Sequence, residues 1–146
     1  MKEREIDELV RGRLAERNIR YTNGRKRLIK ALQLASGPQS VAELYERVRR
    51  SVPVSSLYRS LAMLEQAGVL RLHHGQGKVA RFELAEWLTG HHHHLFCIEC
   101  GKVDDVELDA DSERLLNRVA AKAGGRAGYV ESGHRLEIEG LCRSCR

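Results

Sequence analysis

Residues 53–84, PVSSLYRSLAMLEQAGVLRLHHGQGKVARFEL, decide the fold of the front half of the chain, because the spacing of their apolar side chains changes part-way along. Leucines first recur every three or four positions, which predicts a helix over residues 56–67. After Gly68, apolar and polar residues alternate, which predicts strands at 69–73 and 79–84. A glycine-containing loop separates these strands, so we expect a helix followed by a β-hairpin.

Three further helices are predicted ahead of this stretch, over residues 4–18, 25–35 and 41–50. A residue that can cap the free N–H groups stands in front of each helix after the first. These residues are Thr22, then Ser40 with Glu43 three positions on, then Ser55 or Ser56. Four helices followed by a hairpin are the order of a winged-helix domain with one extra N-terminal helix.

The rest of the chain predicts a second, smaller unit. Residues 85–90 have the composition of a short linker, although one continuous domain is the alternative. Beyond them, we expect strands at 93–97, 103–108 and 135–141 and a helix at 112–123. The predicted fold is therefore α+β, with a first domain at 1–84, a hinge at 85–90 and a second domain at 91–146.

Charge is divided unevenly between these units. Residues 1–84 contain 17 Lys and Arg against 9 Asp and Glu, whereas residues 85–146 contain 8 against 11. A basic front half favours a polyanion such as nucleic acid, although a solvated basic surface is the alternative. No apolar run approaches the roughly 20 residues of a membrane helix, and the N-terminus has no secretion signal. We therefore expect a soluble cytoplasmic protein.

The predicted helix at 56–67 is the candidate for the DNA major groove, as the second helix of a helix-turn-helix. Groups suited to bases and phosphates lie at its start, on Ser55, Ser56, Tyr58 and Arg59. Tyr58 is one position off the leucine stripe and is predicted to face outward, although a core position is the alternative. Further basic groups are Arg20, Arg25, Lys26 and Arg27, and on the hairpin Arg71, His73, His74, Lys78 and Arg81.

Four cysteines form two C-x-x-C pairs, at Cys97, Cys100, Cys142 and Cys145. Two such pairs can hold one tetrahedral zinc ion and leave no open coordination position, so the predicted site is structural. The alternatives are two disulfides or a redox-active dithiol, which cytosolic usage of paired cysteines disfavours.

The run His91–His94 stands directly before the first cysteine pair. On a strand, alternate side chains face opposite ways, so His92 and His94 can serve one metal site and His91 and His93 another. A purification tag or a solvated histidine run is the alternative. Further ligands are available on both sides of the run, at Glu83, His73, His74, Glu113 and His134.

Taken together, these features resemble the ferric uptake regulator family of metal-sensing bacterial repressors, over most of the chain. The similar stretches are HHHHLFCIECGKV at 91–103, SLYRSL at 56–61, RYTNGR at 20–25 and AELY at 42–45. The resemblance implies a winged-helix DNA-binding domain, a hinge and a small α/β domain that forms a homodimer. It also implies repression of metal-homeostasis genes from a palindromic DNA operator when the sensed metal is bound, and no enzymatic activity.

The resemblance assigns roles to individual positions. Tyr58 would contact bases, Arg59 the DNA backbone and Arg20 the minor groove. Cys97, Cys100, Cys142 and Cys145 would hold structural zinc. The sensory site at the hinge would comprise Glu83, His92 and His94, and the site in the dimerisation domain would comprise His91, His93, Glu113 and His134.

The chain departs from the family at the sensory site. Many members supply one more histidine just before the third helix, where this sequence has Gly37-Pro38-Gln39-Ser40. We therefore expect His73 or His74 to complete that site. Iron is the favoured regulatory metal, followed by manganese, nickel and zinc; a peroxide-sensing regulator of the same family and a metalloenzyme using the histidine cluster are the alternatives.

Overall fold

A computed structural model describes residues 3–74 and 79–146. In these residues six helices and two three-stranded sheets follow the order α1 Glu3–Ala15, α2 Asn23–Gln33, β1 Gln39–Ser40, α3 Val41–Val48, α4 Val54–Gln66, β2 Leu70–His74, β3 Ala80–Leu84, α5 Glu86–Thr89, β4 His93–Cys97, β5 Val103–Val106, α6 Ala110–Arg126 and β6 Glu137–Gly140. The predicted α+β class is confirmed. Most of the predicted hairpin loop, including Lys78, lies outside the described residues.

The front half buries one apolar core between helices α1 to α4 and the hairpin. Its fully buried members include Leu28 of α2, Leu44 of α3 and Leu57 of α4, so the leucine stripes seen in the sequence are the packed faces. Strands β2 and β3 form the predicted antiparallel hairpin. The sheet has a third strand that was not predicted, because β1 is only two polar residues long and has no alternation to detect.

Helix caps explain where the front helices begin. The Thr22 side chain accepts a hydrogen bond from the backbone of α2, and Ser40 and Glu43 form the predicted capping box of α3. The prediction that Ser55 or Ser56 caps α4 was wrong. This helix begins at Val54, with Pro53 at the N-cap position and no side-chain cap, so both serines lie inside its first turn.

The predicted linker contains a one-turn helix, α5, rather than only extended chain. Leu88 of this helix is fully buried in the front-half core, and the Trp87 indole N–H donates to the Gly68 carbonyl at 2.7 Å. Gly68 itself ends α4 with a φ of 71°, as expected for a glycine after a helix. The chain therefore leaves the front half with its position fixed by packing.

The back half is a sheet of order β5-β4-β6 with helix α6. β4 pairs antiparallel with β5 and parallel with β6, so β4, which carries His93 and His94, is the central strand. No residue of α6 is buried, and Leu115 and Val119 are more than half exposed. Among the described residues no helix is both long and apolar enough to cross a membrane.

Candidate metal centres and nucleic-acid interface

The hinge ligand set is centred on the carboxylate of Glu83, which is buried at the end of β3. One carboxylate oxygen lies 3.1 Å from His92 Nε2 and 3.0 Å from His94 Nε2. The other oxygen lies 2.5 Å from His73 Nε2, on β2. Three imidazoles from two domains therefore converge on one carboxylate, which places the predicted sensory residues together.

The electrostatics of this cluster favour a cation. Burial alone would raise the pKa of the Glu83 carboxyl, but hydrogen bonds from the three imidazoles outweigh burial and hold that pKa far below its ordinary value. The hydrogen bond with Glu83 in turn raises the pKa of His92 to about 9. The buried carboxylate is therefore negatively charged and is neutralised by imidazole N–H groups, including a protonated His92. A divalent cation can take the place of those protons, because its binding releases them and frees the imidazole nitrogens as ligands.

Asp105 is a fourth candidate ligand of the hinge set, and the sequence analysis missed it. Its Oδ1 lies 3.9 Å from His92 Nε2 and 3.7 Å from His94 Nε2. Glu83, His92, His94 and Asp105 offer ligand atoms that all lie within 4.8 Å of one another. The pairing of β4 with β5 brings it there, because Asp105 stands directly opposite His94 on the same face.

The two histidines of the hairpin have different positions. His73 contacts Glu83 directly, whereas His74 is exposed at the end of β2. Neighbouring residues of a strand face opposite sides, so only one of the two can point at the hinge. His74 belongs to none of the metal-ligand groups among the described residues.

A second ligand set lies on the other face of the histidine run, as predicted. His93 Nε2 is 2.6 Å from Glu113 Oε1, and His91 Nε2 and His134 Nε2 are 3.8 and 3.3 Å from Glu113 Oε2. His134 Nε2 is buried and has no hydrogen bond of acceptable geometry. An unsatisfied buried nitrogen beside a carboxylate and two imidazoles fits a metal ion at this position.

The four cysteines form a third set, with their sulfur atoms within 4.8 Å of one another. All four are free thiols, so the disulfide alternative is not supported. Backbone N–H groups of Cys100 and Cys142 that point at Cys97 lower its thiol pKa to about 6, whereas the neighbouring sulfurs raise that of Cys145 to about 12. The thiols thus differ in pKa, although their sulfur atoms converge on one point. Four converging sulfur ligands fit one tetrahedral zinc ion.

The candidate recognition surface is the exposed side of α4. Tyr58 is 58% exposed, which confirms its outward position, and Ser55 and Arg59 are exposed beside it. Arg20 is exposed as well. Arg25 is only partly exposed, because its guanidinium donates to the Arg20 carbonyl and contacts the sulfur of Met63 in α4. Arg25 thus holds the Arg20 segment against α4.

Comparison with known proteins identifies the family of this chain. The sequence pattern of the ferric uptake regulator family matches residues 16–138. The chain belongs to this family. The ferric uptake regulation protein of Synechococcus elongatus is 32% identical over 142 residues, which cover 94% of this chain and 92% of that protein. Members of the family are metal-responsive transcription regulators and not enzymes, and neither the peroxide-sensing nor the metalloenzyme alternative is favoured.

Solved structures of the ferric uptake regulator family have the same fold. The Helicobacter pylori ferric uptake regulator superposes with a TM-score of 0.77 at 22% identity, covering 99% of this chain and 94% of that chain. The Vibrio cholerae ferric uptake regulator has a TM-score of 0.70 at 27% identity, covering 90% and 98%. The winged helix and the small α/β domain predicted from the sequence are therefore the family's two-part architecture.

The segment just before α3, where the resemblance implies a further histidine, contacts the back half through its main chain. Gly37 packs against the backbone of Val103 in β5, and the Asp105 N–H donates to the Ser36 carbonyl at 3.1 Å. A cavity beside this contact reaches Glu83, His92 and Asp105. In this member of the family, the front half meets the metal-binding sheet through main-chain contacts at that point and through His73 on the hairpin.

Proposed function

We propose that this protein is a DNA-binding repressor of metal-homeostasis genes that closes on a palindromic operator when a regulatory ion occupies the hinge set. One observation carries the proposal: Glu83 of the hairpin domain lies within about 3 Å of His92 and His94 of the other domain. An ion bound there would have ligands from both domains. We assign residues 1–84 to DNA binding, 85–90 to the hinge and 91–146 to metal binding and dimerisation.

The ion acts by favouring the closed arrangement over any open one. It can shift that equilibrium only by the difference between its affinities for the two arrangements. Separating Glu83 from the imidazoles removes a ligand, so the closed form binds the ion more tightly. A coupling of about 3 kcal/mol would change DNA affinity by roughly 100-fold. The Vibrio cholerae relative, whose DNA-binding domains are rearranged in its structure, supports movement of this kind.

The donor types guide the choice of metals. The hinge set offers imidazoles and carboxylates, which suit Fe²⁺, Mn²⁺, Ni²⁺ or Zn²⁺, and we favour Fe²⁺ in a ferric uptake regulator family member. Asp105 adds a carboxylate from β5, and His73 on the hairpin contacts Glu83 from the other side of its carboxylate. The cysteine set would hold structural Zn²⁺, and the set around Glu113 would hold a further ion that orders the dimerisation domain.

The DNA contacts follow from the exposed side of α4. Tyr58 would reach base edges, Arg59 and the hydroxyls of Ser55 and Ser56 the phosphates, and Arg20 the minor groove. Two copies are needed to read a palindrome. The exposed apolar side chains Leu115 and Val119 of α6 support a homodimer through the back half, because a second copy would cover them.

The test is metal analysis together with DNA binding, before and after mild chelation. We expect about one zinc per chain to resist the chelator and DNA affinity to fall roughly 100-fold as a second metal leaves. His94→Ala should abolish the metal dependence, whereas His74→Ala, which removes an exposed histidine of the hairpin, should not. DNA binding that ignores the removable metal would contradict the proposal.

A further inference from the structure

One further cluster of metal-ligating groups shares His94 with the hinge set and adds Glu137, which the sites described above do not use. His73 of β2, His94 of β4 and Glu137 of β6 offer ligand atoms that all lie within 4.8 Å of one another. The register of the back-half sheet creates this cluster, because Glu137 pairs with His94 in the parallel β4–β6 ladder. The rings of His73 and His94 meet edge to face with centroids 4.8 Å apart.

We propose that His73, His94 and Glu137 form an outer cation position, which a divalent metal ion occupies as an alternative to the hinge set. The inference rests on the proposed function, since it concerns where the regulatory ion binds. Two imidazoles and one carboxylate are a donor set that suits first-row divalent metals and leaves positions open for water. These three residues line one small cavity, together with His74, Arg81, Phe96 and Val103.

The two positions exclude one another because both require His94. A neutral imidazole has a single lone pair available for a metal, so His94 can bind only one ion at a time. An ion in either position joins the hairpin to β4, through Glu83 in the hinge set and through His73 in the outer set. The outer position would therefore also hold the two domains together.

The expected metal affinities of the two positions differ because the positions differ in exposure and in charge. Glu83 is only 7% exposed, whereas Glu137 is exposed to solvent. The hinge set also contains two carboxylates, Glu83 and Asp105, against one in the outer set. An ion should thus bind the hinge set more tightly than the outer set. An ion that arrives from solvent should reach the outer set first and then move to the hinge set while it stays bound to His94.

The test uses Co²⁺ binding to the full-length protein after chelation, with the second ligand set removed in every sample by Glu113→Ala and His134→Ala. Affinity comes from titration of the Co²⁺ absorption bands and from equilibrium dialysis. Glu137→Gln alone should change affinity less than threefold, since the hinge set still binds. His92→Ala should weaken binding on the order of 10-fold and keep one removable Co²⁺ per chain.

The decisive sample combines His92→Ala with Glu137→Gln. We expect it to lose at least a further 10-fold in Co²⁺ affinity. The matched control combines His92→Ala with Glu139→Gln, which makes the same charge change two residues along the same strand and outside the ligand groups of the described residues. Equal affinity in these two samples would overturn the outer position. The proposed function fails separately, if His94→Ala leaves metal-dependent DNA binding intact.

Discussion

Replacing Gly37 with alanine should weaken metal binding at the hinge without touching any ligand. A Cβ at this position would lie 2.5 Å from the carbonyl oxygen of Val103 and 3.2 Å from the Cα of Asp104. Both are backbone atoms of the opposing domain, so no flexible side chain can move aside. The backbone of Gly37 is outside the left-handed region, so alanine adds no strain once the domains separate.

The size of the effect follows from this overlap. Ordinary contacts of a Cβ begin near 3.4 Å, so the two domains must separate by close to 1 Å. Forcing an extra methyl group into a packed contact costs about 1–3 kcal/mol. The cost applies only to the closed arrangement, in which Glu83 and the β4 histidines share an ion. Affinity for the regulatory metal should therefore fall about 5- to 150-fold.

The assay is a metal titration of Gly37→Ala beside Gly12→Ala, each followed by thermal unfolding. Gly12 lies in α1 with nothing within 4 Å of its would-be Cβ, so the same substitution there should leave metal affinity unchanged. It should also stabilise the helix by up to about 1 kcal/mol. If Gly37→Ala binds the hinge metal as tightly as Gly12→Ala, the contact with Val103 does not govern closure and the reasoning is wrong.

Three further predictions concern other parts of the molecule. Cys100→Ser should remove about one chelator-resistant zinc per chain, measured by metal analysis, and lower the melting temperature. Arg59→Ala should weaken binding to all DNA sequences alike. It should also reduce the slope of log affinity against log salt concentration by about 1, as expected for one lost phosphate contact. Glu43→Gln should cost up to about 1 kcal/mol at neutral pH, because the amide can keep the capping-box hydrogen bond to Ser40 but loses the ion pair with Arg81. Burial opposes the shift, but hydrogen bonds from Ser40 and Arg81 lower the pKa of Glu43 in the folded protein. The wild-type stabilisation is present above the unfolded pKa and is lost as pH falls through the folded one, so denaturation curves of Glu43→Gln should converge with wild type in acid.

Periodicity made most of the elements predictable. The buried leucines of α4 and the alternation on either side of the hairpin loop are properties of adjacent residues, and they predicted a helix and two strands. The capping box of Ser40 is also local and was confirmed. Strand β1 was missed because its two residues become a strand only by pairing with β3. The predicted cap of α4 was wrong because Pro53 takes the N-cap position and the helix begins at Val54, ahead of both serines.

The candidate site was predictable where its ligands are close in sequence or alternate along one strand. The two faces of the histidine run and the cysteine pairs were found in this way. Asp105 and Glu137 could not be found from the spacing of residues in the sequence. They lie beside His94 because β5 and β6 pair with β4 on its two sides. Choosing His73 over His74 likewise needed the direction of β2, which the hairpin register fixes.

Some contacts between the two domains form without an ion, and they limit how far ion binding can shift the protein towards the closed arrangement. The hydrogen bond from Asp105 to Ser36 and the close packing of Gly37 on Val103 form in the closed arrangement whatever the hinge holds. The stronger these contacts are, the more of the metal-free protein is already closed, and the smaller the change that binding can produce. A sensor with roughly 100-fold response must therefore keep them weak enough for the open form to dominate without metal. Under the proposed function, the main-chain contacts of Ser36 and Gly37 favour closure without an ion, so the metal dependence has to come from the ligands that join the two domains, Glu83 with His92 and His94.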